Sequence, residues 1–177
     1  MPDFVGRLEV QQWIALVVSV CACGTDIRTR RIPNEITLGS TAVALAYALV
    51  VHGARGLLFA VLGWTAGLVI FLPFYLLRGL GAGDVKLMAC LGAWLGPAPA
   101  LWTGLYAALA GGVMAVILAL ASNYFRTAVR NTAELLTHFR VFGVRPHPVL
   151  SLEHSKGPRL PYALPITAGA IVAMWLH

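Results

Sequence analysis

Gly79-Leu80-Gly81-Ala82-Gly83-Asp84-Val85-Lys86 places one of the chain's three aspartates at the mouth of an apolar segment. If that segment enters a bilayer, the carboxylate stands against lipid, where ionisable groups are costly enough to be functional candidates by default. The glycines ahead of it allow a close approach of backbone. The fold therefore depends on whether the surrounding chain is built for a membrane.

Composition says that it is. The 177 residues are 59% hydrophobic and only 11% charged, with a mean hydropathy of +0.79, values of a polytopic membrane protein rather than a soluble domain. The formal charge is +6; in so apolar a chain a basic excess is read as topology and lipid contact rather than nucleic-acid binding. Cys21, Cys23 and Cys90 form no C-x-x-C pair, so they are read as small packing residues, not a zinc ribbon or disulfide framework. Val20-Cys21-Ala22-Cys23 faintly resembles a signal-peptide cleavage site. The apolar run is preceded by one Arg and two acids, a poor n-region, and is read as a retained helix.

Outward from Asp84, apolar runs divide the chain into six expected spans, at residues 10–25, 36–52, 57–77, 85–97, 101–122 and 160–176. The fold expected is an all-α, six-transmembrane-helix bundle forming a single membrane domain over residues 1–177. Ile27 to Asn34 is a basic loop, in which Pro33 disfavours helix at Ile32 and Asn34 is placed to cap the next helix. Gly53 and Gly56 suggest a turn around Arg55, and Pro73 a kink. The long polar stretch 123–159 carries Phe125, Val129, Leu136, Phe139 and Phe142 at helical spacing opposite Arg126, Arg130 and Arg140. This is the pattern of a basic amphipathic helix on a membrane surface.

Charge gives the orientation. In the six-span arrangement Arg28, Arg30, Arg31, Arg78, Lys86, Arg126, Arg130, Arg140, Arg145, Lys156 and Arg159 share one face, leaving only Arg7 and Arg55 on the other. The positive-inside rule makes the first face cytoplasmic and puts both termini outside. A re-entrant fourth segment would move six of the eleven across, so that segment is expected to cross.

The same parity puts Asp26, at the end of the first span, and Asp84, at the start of the fourth, on the cytoplasmic boundary. Asp3 lies opposite, and apart from Glu35 no other carboxylate can meet them there. Two adjacent carboxylates do not ionise together easily; sharing one proton, they provide an acid and a base in one site. The plainer alternative makes each Asp a helix-end marker. That suits Asp84 at a helix N-terminus but leaves Asp26, at a C-terminus, opposing the macrodipole.

Gly81-Ala82-Gly83-Asp84-Val85-Lys86-Leu87 resembles the G-x-G-D-x-K-L signature of type IV prepilin peptidases. Asp26 with Arg28, Arg31, Ile32, Pro33 and Asn34 resembles that family's first-aspartate motif, and Leu160-Pro161-Tyr162-Ala163-Leu164-Pro165-Ile166 its last-helix entry. The resemblance implies an aspartic endopeptidase of the bacterial inner membrane with Asp26 and Asp84 as catalytic dyad and no cofactor. Its partners would be prepilin or pseudopilin precursors, cut just cytoplasmic to their hydrophobic helix. Gly81, Gly83, Lys86, Pro33 and Asn34 match the motifs as supporting residues. Large members with a cysteine-rich insertion also methylate the product. Here eight residues without cysteine separate Asp26 from Glu35, so methylation is not implied. The compact form is similar to the short tight-adherence (Flp-type) branch, and archaeal preflagellin peptidases are similarly built.

Other readings stand beside these. Lys86 could lower an aspartate's pKa, hold a lipid phosphate or simply snorkel. His138, His147 and His154 lack cysteine partners and metal-like spacing, so no metal site is expected. Tyr162 could donate near the site or serve as an interfacial aromatic, and the five tryptophans suit packing or a membrane belt. Gly63 to Gly67 and Gly111-Gly112 suit close helix contact in lipid. A transporter using the aspartates would carry ionisable groups inside its spans, which hold no Asp or Glu. A noncatalytic assembly subunit would tolerate Asn at both aspartates. A presenilin-like protease would share the G-x-G-D chemistry, but Gly24-Thr25 precedes Asp26 where that family has tyrosine.

Overall fold

The computed structural model describes residues 9–122, 125–143 and 160–176. Asp3, Arg7, Arg145, His147, His154, Lys156 and Arg159 lie outside the described residues, as do the side chains of Leu136, Phe139 and Phe142. Among the described residues the chain is all-helical: α1 (Val10–Thr29), α2 (Asn34–Leu76), α3 (Ala82–Leu95), α4 (Pro97–Ala121), α5 (Phe125–Phe142) and α6 (Ala163–Leu176). By length and composition α1, α2 and α4 can each cross a membrane, while α6 is a shorter apolar helix.

Two expected spans, 36–52 and 57–77, are joined in α2, whose helical geometry breaks only at Gly53 (φ 66°, ψ −158°). The turn expected across residues 53–56 is thus a single left-handed residue, a conformation glycine adopts without Cβ strain. Packing against α3 shows that the chain reverses there. Lys86 bonds to Asn34 and Trp94 to Ser40, so α3 runs parallel to the first arm of α2. Along the second arm the order is opposite: Gly67 lies against Met88 and Gly63 against Gly92. A Cβ on Gly63 would run into the Gly92 carbonyl, and one on Gly67 into that of Met88. The pair sits four residues apart, the small-x-x-x-small spacing that lets helix backbones approach in lipid. Pro73 falls inside the last turns of α2.

The remaining helices follow the same rule. Gly96 (φ 87°) alone separates α3 from α4. Tyr162 lies against Gly111, and Gly169 against Ala107 and Thr103, so α6 is antiparallel to α4. Contacts of α6 with α1, from Thr167 Oγ1 donating to Ser19 O at 3.1 Å and Ala163 N–H to Asp26, also run antiparallel.

The interior combines many small side chains with a few large ones, among them Phe71, Leu87, Met88, Leu91, Trp94 and Ile166. Ala15, Ala22, Ala44, Ala100, Ala107 and Ala170 are buried, whereas Val50, Leu58, Leu109, Val113 and Ile117 are exposed. Large apolar groups outside and small ones at helix contacts is the distribution expected where lipid, not water, is the solvent. Cys90 is buried and Cys21 exposed on α1.

α5 bears out the amphipathic expectation where it is described. Phe125, Ala128 and Val129 line a space shared with α4, though Phe125 and Val129 remain largely exposed, and Arg130 pairs with Glu134 at 3.6 Å.

Candidate active site

Asp26 does not end its helix. α1 continues to Thr29 and closes when the N–H of Arg30, in the left-handed conformation (φ 55°), donates to the Asp26 carbonyl. The carboxylate lies in the last turn and is only 8% exposed. There it opposes the dipole of α1, but it faces the start of α6, whose first N–H, on Ala163, donates to Asp26 Oδ2 at 3.3 Å. A helix N-terminus favours a negative charge. The mismatch evident in the sequence is thereby offset by a second helix. Pro161 and Pro165 bracket that N-terminus, where missing N–H groups cost no intrahelical bond.

Asp84 occupies the third residue of α3, ahead of its apolar stretch, and its Oδ2 accepts the Gly81 N–H at 3.2 Å. Its carboxyl is pushed up to about 7, first by burial, then by the negative charge of Asp26, against a smaller downward pull from the Gly81 bond. The two aspartates thus lie within electrostatic reach of one another, on α1 and α3, which pack together. A Cβ on Gly81 would stand 3.1 Å from Asp84 Oδ2, so glycine there leaves the carboxylate room.

The supporting residues of the two motifs meet as well. Lys86 Nζ donates to Asn34 Oδ1 at 2.9 Å, and Ile32 packs over Gly83, where a Cβ would sit 3.2 Å from that of Ile32. Asn34 therefore does not cap α2: Pro33 holds the cap position, and the Asn34 carbonyl oxygen is engaged by the lysine. Lys86 forms no ion pair with either aspartate among the described residues. Its ammonium fastens the first residue of α2 to the start of α3.

Tyr162, just before α6, is half-buried, crosses Phe71 edge-on at a centroid distance of 6.1 Å, and lies within electrostatic reach of Asp84. Among the described residues no group of His, Cys, Asp and Glu could hold a metal. The Ala163 N–H on Asp26 and the Gly81 N–H on Asp84 are both backbone donors. Residue identity does not advertise the Ala163 donor; its only signal in the sequence is Pro161 marking a helix start. Such an arrangement presents one carboxyl disposed to keep its proton beside another facing a helix N-terminus, the asymmetry that acid–base work on a bound water requires.

A sequence model described as the Type IV leader peptidase family matches residues 13–116, a stretch holding both aspartates. Comparison with curated proteins and with solved structures finds no match.

Proposed function

The chain belongs to the type IV leader peptidase family, and we propose that it is an aspartic endopeptidase using Asp26 and Asp84 to remove the short basic leader from prepilin or pseudopilin precursors. The observation that carries this reading is the placement of the two aspartates, from separate motifs, at one end of the bundle with unlike environments. Asp26, facing the α6 N-terminus, acts as the base. It takes a proton from a water as that water attacks the scissile carbonyl. Asp84, whose burial favours the neutral carboxyl, donates its proton to the carbonyl oxygen, giving a neutral tetrahedral diol. Collapse returns one diol proton to Asp84 and passes the proton held on Asp26 to the leaving nitrogen, which frees the new N-terminus and regenerates the pair.

The setting is the inner membrane of a bacterium, with six passes: α1, the two arms of α2, α3, α4 and α6. Alternating helix directions support it, since Asp26, Asp84 and Tyr162 fall at one end and Glu9, His52 and Trp94 at the other. Basic residues on the first end argue that it is cytoplasmic, where the junction between a pilin's leader and its hydrophobic helix would lie. α5 would rest on that surface through its apolar face. Methylation of the product is not part of the proposal, nor is any cofactor.

Membranes carrying the protein, incubated with a pilin precursor, should convert it to a shorter product whose N-terminal sequence begins immediately after the leader. Precursor left intact under conditions where the protein is folded and abundant would refute the assignment.

A further inference from the structure

At the end of the bundle away from the aspartates, the structure holds a cavity of about 410 Å³ between the N-terminus of α1, the Gly53 break of α2 and the end of α3. Glu9, which caps the start of α1, is seventeen residues from Asp26 in its last turn, about 25 Å by helical rise. The cavity therefore lies at the opposite boundary of the hydrocarbon layer from the candidate active site, and nothing in the proposed peptidase chemistry uses it.

Its lining is unlike the rest of this apolar surface. Tyr47, Phe59 and Trp94 form walls, with the Tyr47 and Trp94 rings tilted 44° apart at 5.8 Å. Trp94 is fixed by donating its indole N–H to Ser40 at 2.9 Å. On the rim Gln11 bonds to His52 at 3.2 Å, tying α1 to α2 across the opening. The same rim carries Glu9 and Arg55, charges of opposite sign that share the cavity with no ion pair between them among the described residues. Two unlike charges held apart around one aromatic-walled space suit a ligand that carries both signs itself: a cation attracted by ring faces and a carboxylate, and an anion by a guanidinium. Val50, Val51 and Leu58, exposed beside the opening, provide the surface along which attached hydrocarbon chains would lie.

We propose that this cavity binds the zwitterionic headgroup of a phosphoethanolamine phospholipid, its phosphate on Arg55 and its ammonium between Glu9 and the aromatic walls. An anionic glycerol headgroup would leave Glu9 facing an uncharged group beside a phosphate, so the site discriminates against it. The inference does not rest on the peptidase reading, because binding can be measured without cleavage.

The test is native mass spectrometry of the full chain in detergent, titrated with phosphatidylethanolamine, phosphatidylglycerol and water-soluble O-phosphoethanolamine. One phosphatidylethanolamine per chain should bind about tenfold more tightly than phosphatidylglycerol, the effect of a single favourable charged contact of about 1.4 kcal/mol. Arg55→Gln should weaken phosphatidylethanolamine binding, and Glu9→Gln should close the gap between the two lipids. Both side chains are exposed, and circular dichroism should show both variants folded. Equal binding of the two lipids to the unaltered protein, or a preference surviving both substitutions, would overturn the site. Soluble O-phosphoethanolamine binding as tightly as the lipid would overturn the assignment to a membrane source.

Discussion

Replacing Lys86 with Met tests whether the two sequence motifs act as one unit. The ammonium donates to Asn34 at 2.9 Å across 52 residues of chain, and Met retains the length of the side chain while removing the donor. A hydrogen bond to a charged group contributes about 1.5–3 kcal/mol when sheltered; this one is partly exposed, and water competition reduces it to about 1 kcal/mol. The consequence for catalysis exceeds that figure if the bond positions Asp26 against Asp84, because a displacement of about 1 Å at a reacting pair costs up to about a hundredfold. Lys86→Met should therefore lower kcat for precursor cleavage about tenfold, with KM within about twofold of the unaltered enzyme. Asn34→Ala should do the same, and the double variant should be no slower than either single one, a coupling of about 1.4 kcal/mol. Initial rates over a range of precursor concentrations, with thermal unfolding measured alongside, separate positioning from loss of fold. If the double variant falls by the product of the single effects, about a hundredfold, or if either single variant matches the unaltered enzyme, the clasp does not position the aspartates.

Two further perturbations follow from the same geometry. The folded chain keeps the Asp84 proton up to about pH 7, whereas an ordinary carboxyl releases it near 3.8, so unfolding within that window releases a proton and stability declines as pH rises. Cleavage should fall on the alkaline side as Asp84 loses its proton near pH 7, and Asp84→Asn should flatten the dependence of thermal stability between about pH 4 and pH 7; a stability curve unchanged by that substitution would refute the raised pKa. At the α2–α3 contact, Gly67→Val should destabilise the protein by about 1–3 kcal/mol because its Cβ meets the Met88 carbonyl. Gly24→Ala, with nothing within 4 Å of its Cβ, should be neutral or stabilising by up to about 1 kcal/mol, and thermal unfolding in detergent distinguishes the two.

How much the amino-acid sequence reveals depends on whether a feature is carried by residue type or by backbone geometry. Asp26 and Asp84 are legible because carboxylates at the edges of apolar runs are rare and parity puts them on one face; the structure places them within each other's field. Gly63 and Gly67 are legible as a close-packing pair because their spacing is helical, though the partners Gly92 and Met88 emerge only in three dimensions. Local sequence points to Asn34 as a cap, whereas its partner in the fold is Lys86, 52 residues away. The joining of the second and third runs was hidden for another reason: one glycine at positive φ reverses the chain where two glycines and an arginine suggest a longer turn. The Ala163 N–H on Asp26 escapes residue-based reading altogether, since every residue but proline has such a donor and only the packing of α6 on α1 aims this one.

The proposed mechanism needs both aspartates in one site, each of them indispensable. Single-turnover cleavage of a pilin precursor by the purified protein, compared with Asp26→Asn and Asp84→Asn separately, measures that need. Asn preserves the size of each side chain and can still accept the bonds from Ala163 and Gly81, so the fold should persist while proton transfer fails. Each variant alone should lose at least about a thousandfold in rate with the precursor still bound; cleavage within about tenfold of the unaltered enzyme in either variant would rule out the aspartate pair as the catalytic machinery.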